Sequence, residues 1–191
     1  MESTGGCDPV LTVNGHSYAH RKTKNTNFAL LGSVNFAKPF SDPIAYGRYL
    51  ARLANLISGG IILQRLGDLK KGRCSTPSQI EQGAVEPTLK SARPGDLAAV
   101  LPYRLLKGIK EMLEAMDKLT PGITSPDTLL YGIEVKFYSS RLQLTENLET
   151  EINNMFAIGD GAGITRGLVQ ASASGVIAAR EILRRLGHRK S

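Results

Sequence analysis

The run Met155 to Arg180, MFAIGDGAGITRGLVQASASGVIAAR, constrains this chain more than any other segment, because it joins an apolar stretch to a glycine-rich turn and a long helix. Met155, Phe156, Ala157 and Ile158 are apolar without alternation, which predicts a parallel strand covered on both faces. Gly159, Gly161 and Gly163 then permit positive φ and a close approach of backbone to a ligand. Asp160 stands between two of them. A helix is predicted from about Arg166, and the first N–H groups of a helix lack partners within it, so they favour a partly negative group. Turn chemistry alone leaves two readings: Asp160 caps a plain strand-to-helix turn, or its carboxylate and the helix donors converge on a ligand. The spacing is not GxGxxG, since Ile164 and Arg166 follow where glycines are needed, and the absence of GK[ST] excludes a Walker loop.

Upstream, Val10 to Val13, Asn14-Gly15 and His16 to Ala19 predict a hairpin with a type I′ turn, and Phe28 to Val34 a third strand. Asp42-Pro43 predicts a helix start, with Ile44, Gly47, Leu50, Ala54 and Ile57 on one face and Gly59-Gly60 as the stop. Ile61 to Gln64 predicts a short strand. Thr76, Pro77 and Gln79 form a capping box for a short helix ending near Gly83. A longer helix follows Pro102, carrying Leu105, Leu106, Ile109, Met112, Leu113, Met116 and Leu119 at helical spacing up to Pro121-Gly122. Arg93 to Asp96 reads as a turn between these two helices. Leu129 to Tyr138 and Arg141 to Leu144 read as strands, with Ser139-Ser140 between them. The last helix has a small-residue face of Ala171, Gly175, Ala178 and Ala179, suited to close packing on a sheet.

A boundary is expected near Thr124 to Asp127, dividing the chain into 1–125 and 126–191. The fold class expected is mixed α/β. A net charge of +7 permits attraction to an anionic cofactor, but the excess lies in HRKTK, LKKGR and the terminal RRLGHRKS, the last of which complements a helix C-terminus. Nucleic acid is therefore disfavoured as a partner. Cys7 and Cys74 have no CxxC spacing, and no His, Cys or carboxylate cluster has metal-ligand spacing, so neither a disulfide framework nor a metal site is expected. No apolar run approaches the roughly 20 residues that span a bilayer, and a reducing cytoplasm is the expected compartment. GxSxG is absent, which removes a serine hydrolase of that type. His16 and Tyr18, two apart on the predicted hairpin, share one face and offer a proton donor and a stacking ring, or simply a polar surface. Glu134 and Lys136 share a strand face in the same way, as a solvated pair.

The string FAIGDGAG, with TENLETEINN before it, resembles the C-terminal GD motif of two-dinucleotide-binding flavoproteins of the glutathione-reductase type. The longer GDGAGITRGLVQASASG, with LLYGIEVKFYS and TVNGHSYAHRKTKNTNFALL, resembles more narrowly the NAD(FAD)-utilising dehydrogenases. The resemblance implies an FAD-dependent oxidoreductase in which Asp160 holds the ribityl hydroxyls. Gly159 and Gly161 would then allow close approach, with Ala162 in the same cofactor-binding turn, while the N–H groups around Gly167 and Leu168 face the flavin and Arg166 either adds a positive charge there or is a solvated residue of the first turn. NAD(P)H is one candidate electron donor and a small molecule the expected substrate, but the resemblance names neither the donor, the acceptor nor the substrate. The first segment then corresponds to an inserted substrate domain and the second to the return of the chain to the FAD-binding domain. That fold also carries an N-terminal βαβ unit with GxGxxG, which is not in this sequence. The chain is therefore expected to be the C-terminal part of a longer flavoprotein, with the missing segment supplied in cis or by a partner chain, and by itself to be inactive and to hold FAD weakly or not at all; a non-catalytic basic binding module is the alternative.

Overall fold

The computed structural model describes residues 2–4, 10–16, 18, 20–135, 141–165 and 167–188. Cys7, Ala19, Arg166, the 136–140 end of the last predicted strands with Lys136, and the 189–191 tail lie outside the described residues. The chain has the expected mixed α/β class and divides into two compact units, Met1–Lys136 and Phe137–Ser191.

In the first unit, β1 (Glu2–Thr4) pairs antiparallel with β2 (Val10–Thr12). The predicted hairpin at Asn14-Gly15 is not formed. Neither residue has positive φ, and the edge of β2 is taken instead by the amide of Asn55, which accepts from Leu11 N at 2.8 Å and donates to Leu11 O at 3.0 Å. Asn55 lies on α1 (Pro43–Ser58), which starts as the sequence predicts: Asp42 accepts from Ala45 N, Pro43 opens the first turn, and Gly59 closes the helix in the left-handed region.

β3 (Ile62–Arg65) is the centre of a three-stranded sheet, parallel to β4 (Arg93–Pro94) and antiparallel to β5 (Leu129–Gly132), with Leu63 opposite Pro94 and Tyr131. Arg93 to Asp96 thus contains a sheet edge where a turn was predicted; proline is tolerated there because an edge residue need not donate to the ladder. Between β3 and β4 come α2 (Leu66–Lys70), which the sequence pattern does not reveal, and α3 (Pro77–Glu81), whose capping box forms as predicted. α4 (Tyr103–Asp117) follows Pro102. Phe28 to Val34 is not a strand: no ladder partner is available, and Phe28, Leu31 and Val34 are largely exposed.

Two apolar clusters hold this unit. Ala54, Ile62, Leu97 and Val100 join α1 to the sheet, while Leu66, Leu69 and Leu113 join α2 to α4. Each fully buried Leu or Ile stabilises by about 1.5–3 kcal/mol before ordering costs. Beneath the sheet edge lies a polar core. Gln64 is fully buried; its amide donates to Arg73 O at 2.9 Å and accepts from Leu97 N at 2.8 Å. Asp68 is 1% exposed and accepts from Ser75 Oγ at 2.8 Å and from Arg73 Nε at 2.8 Å. Burial by itself would raise the Asp68 carboxyl, but the hydrogen bonds from Ser75 and Arg73, with the charges of Arg73 and Arg65, hold it below its usual range.

The second unit is built on α5 (Leu168–His188). Met155 to Ile158 is not a parallel strand within a sheet. Phe156 makes one antiparallel bridge to Glu149, supported by Thr150 N to Met155 O at 2.8 Å and Ala157 N to Leu148 O at 3.0 Å. No further strand flanks the pair among the described residues, so Met155 and Ile158 remain about half exposed. Arg141 to Leu144 is likewise irregular; its Leu142 N–H donates to Ala162 O at 3.2 Å.

Candidate functional site

The turn after Ile158 has the conformation that its glycines predict in part. Gly159 adopts φ 72°, ψ −167°, a region open only to glycine, and Gly163 adopts φ 72°, ψ 13°. Between them Asp160–Ala162 forms a single 3₁₀ turn, closed by Gly163 N to Asp160 O at 3.0 Å. Gly161 has ordinary φ; a Cβ there would meet nothing within 4 Å. The turn is fastened to α5 by Gly159 N–H donating to Ser174 Oγ at 2.9 Å, while that hydroxyl donates to Ala171 O at 2.6 Å.

Asp160 is exposed, and its Oδ1 accepts from the buried Thr165 hydroxyl at 2.6 Å. Gly167 is the residue whose carbonyl takes the first helical bond, from Ala171 N at 2.9 Å. Leu168 and Val169, at the start of the helix, are 89% and 83% exposed, so the end of α5 is open to a ligand. The Thr165 hydroxyl thus ties the Asp160 carboxylate to the segment that leads into α5. Arg166 lies outside the described residues.

Beside the corner is a groove of about 490 Å³, within the usual range for small-molecule sites. Leu142, Leu144, Leu148, Ile164 and Ile177 form its apolar walls, and Arg141, Thr165, Gln170 and Ser174 supply polar edges. Thr165 both lines the groove and holds Asp160, whereas Gly159, Asp160, Gly161, Ala162, Gly167 and Leu168 are not among the lining residues. Sequence reasoning missed Thr165, Ser174 and the Arg141–Leu148 wall. Thr165 was recoverable, because a hydroxyl five residues after an aspartate across a glycine turn is placed to donate back to it.

An ion-pair clamp sets the position of the turn. Arg185 donates two bonds to Glu149, at 2.7 and 2.5 Å, one to Glu181 at 2.7 Å, and lies 5.3 Å from the Phe156 ring centroid. Arg184 binds Glu181 through two further hydrogen bonds. The hydrogen bonds from Arg185, then the Asn154 N–H, bring Glu149 down to about 2; those from Arg184 and Arg185 do the same for Glu181. The basic end of α5 therefore serves the bridge strand, not only the helix dipole.

Neither His16 nor Tyr18 is part of a strand, and Ser17 and Ala19 of the same predicted strand lie outside the described residues; both His16 and Tyr18 are exposed, and His16 O accepts from Asn27 Nδ2 at 3.0 Å. Glu134 lies beyond β5, and Lys136 is outside the described residues. Among the described residues no group of His, Cys, Asp and Glu is placed to hold a metal ion, and no helix is long and apolar enough to cross a membrane.

Residues 7–137 match the family model described as FAD-dependent protein, C-terminal domain-like, a span that coincides closely with the first compact unit. A Clostridium beijerinckii protein, described as an uncharacterized protein, is 30% identical over 185 residues, covering 91% of this chain and 34% of the relative. The chain thus spans about a third of that relative's length. Since the family model covers well over half of the sequence, the chain belongs to the family of FAD-dependent protein C-terminal domains.

Proposed function

We propose that the chain is the C-terminal part of an FAD-dependent oxidoreductase of the NAD(FAD)-utilising dehydrogenase type, and that its second unit forms the ribityl and isoalloxazine side of the flavin site. The observation that carries this reading is the exposed Asp160 carboxylate, fixed by Thr165 at the open N-terminus of α5 beside an apolar groove. The residues fit such a ligand. The apolar walls of the groove suit a ring system, Asp160 suits a row of hydroxyl donors, and Gly161, which has open space around it and no side chain, lets a ligand approach the backbone.

FAD, when bound, supplies two-electron redox chemistry. The chain's own residues bind and orient: Asp160 accepts from ribityl hydroxyls, Thr165 keeps its carboxylate in one rotamer, and the N–H groups around Gly167 and Leu168 oppose negative charge on the ring. The pyrophosphate contacts come from a GxGxxG segment in cis or in a partner chain, and the first unit serves as the substrate-type domain. NAD(P)H as donor, a small-molecule substrate and a cytoplasmic setting complete the proposal.

The test uses riboflavin, which carries the ribityl chain, and lumiflavin, which lacks it. Fluorescence quenching on titration with the full chain is expected to saturate with both. Asp160→Ala weakens riboflavin by about tenfold, the effect of roughly 1.4 kcal/mol from one charge-assisted hydrogen bond at a solvated site. Lumiflavin is unaffected. Absence of saturation for riboflavin, or equal loss for both ligands, overturns the assignment.

A further inference from the structure

The first unit contains a second concavity, remote in sequence from the flavin corner, of about 240 Å³ at the end of α2. Arg65, Lys70, Lys71 and Arg73 line it, and Asp68 is the single carboxylate among the lining residues. Lysines at the last turn of a helix are expected from the dipole alone. The two arginines are not, because Arg65 precedes α2 and Arg73 follows it. Both converge on Asp68. Arg73 Nε and Nη2 each lie 2.8 Å from Asp68 Oδ1, and Arg65 Nη1 lies 3.8 Å from Asp68 Oδ2.

A carboxylate that is 1% exposed and also bonded to Ser75 cannot swing out to follow the arginines, so it fixes them from beneath. Arg73 nonetheless keeps a side chain that is 51% exposed. Arg65 gives Nη2 to Asp127 at 2.5 Å, and its Nε–H has no acceptor among the described residues. Even with Asp127 counted, the groove retains two positive charges in excess. Its wall is tightly built: a Cβ on Gly67 would lie 2.9 Å from Pro126 Cβ. Preorganised guanidinium groups beside flexible ammonium groups suit a phosphate, which accepts several charge-assisted bonds.

We propose that this groove is a binding site for the phosphate or diphosphate group of an anionic ligand. At about 240 Å³ the groove has room for a diphosphate group, and the rest of a larger ligand would extend into solvent. The inference does not rest on the flavin reading, whose residues lie in the other unit, and either can fail alone.

Calorimetric titration of the full chain with inorganic pyrophosphate, ADP and adenosine at low salt tests it. Pyrophosphate and ADP are expected to bind saturably and adenosine not. The double variant Lys70→Gln/Lys71→Gln weakens both by about tenfold, while Lys22→Gln/Lys24→Gln, equally charge-reducing but elsewhere, leaves them unchanged. ADP binding tighter than pyrophosphate identifies a nucleotide ligand; equal binding identifies a free diphosphate-class anion. No saturable binding, adenosine binding as well as ADP, or equal weakening in the two double variants overturns the proposal.

Discussion

Replacing Asp68 by alanine probes the polar core on which the first unit closes. The substitution removes the acceptor of Ser75 Oγ, a hydroxyl on a residue 2% exposed, and a hydrogen bond to a charged acceptor in such a place is worth about 1.5–3 kcal/mol. It also removes the partner of Arg73, but that guanidinium is 51% exposed and rehydrates, so its share is at most about 1 kcal/mol. Relief of the buried carboxylate's desolvation offsets part of the total. The expected net loss is about 2–3 kcal/mol. For a unit of this size about 4 °C accompanies each kcal/mol, so Asp68→Ala lowers the Tm of the first unit's transition by about 10 °C at neutral pH. Scanning calorimetry measures it directly.

The sign of the pH dependence gives a second reading of the same variant. The folded Asp68 carboxyl titrates below its ordinary value of 3.8, held there against the effect of burial by Ser75 and Arg73, so its stabilisation is complete above that value and disappears as pH falls through the folded one. The gap in Tm between parent and variant therefore stays constant from neutral pH to about 5 and narrows in stronger acid. A gap under about 2 °C at neutral pH, or one that persists unchanged in strong acid, would refute the view that this carboxylate organises the core.

In the second unit, Gly159→Ala costs about 1–3 kcal/mol from backbone strain alone, since its Cβ would sit an ordinary 3.8 Å from Ala171 Cβ. Gly161→Ala leaves stability within about 0.5 kcal/mol, because its φ is ordinary and the space is open; yet it weakens riboflavin, and urea titration paired with flavin quenching separates the two effects. Glu149, brought from 4.5 to about 2 chiefly by Arg185, contributes to the bridge fully above 4.5 and ceases to as pH falls through about 2. Amide exchange at Asn154, whose N–H donates to Glu149 at 2.7 Å, is expected to quicken only across that interval, and loss of protection already above 4.5 would contradict the clamp.

Where a structural choice is local, the residues themselves decided it. Asp42-Pro43 with Gly59 bounds α1, and Thr76, Pro77 and Gln79 cap α3, because caps and stops act through bonds within one turn. The positive φ at Gly159 and the exposed Asp160 were legible for the same reason. Pairing was not legible. Val10–Thr12 takes β1 in place of its own hairpin, Arg93–Pro94 becomes a strand only because β3 lies beside it, and Met155 to Ile158 finds a single bridge at Glu149 where its apolar run predicted a sheet. An apolar stretch states that it must be covered and does not name what covers it. The buried polar core at Gln64, Asp68 and Ser75 and the groove beside Thr165 were likewise invisible, since each assembles partners distant in sequence whose charges and hydroxyls gain meaning only once desolvated together.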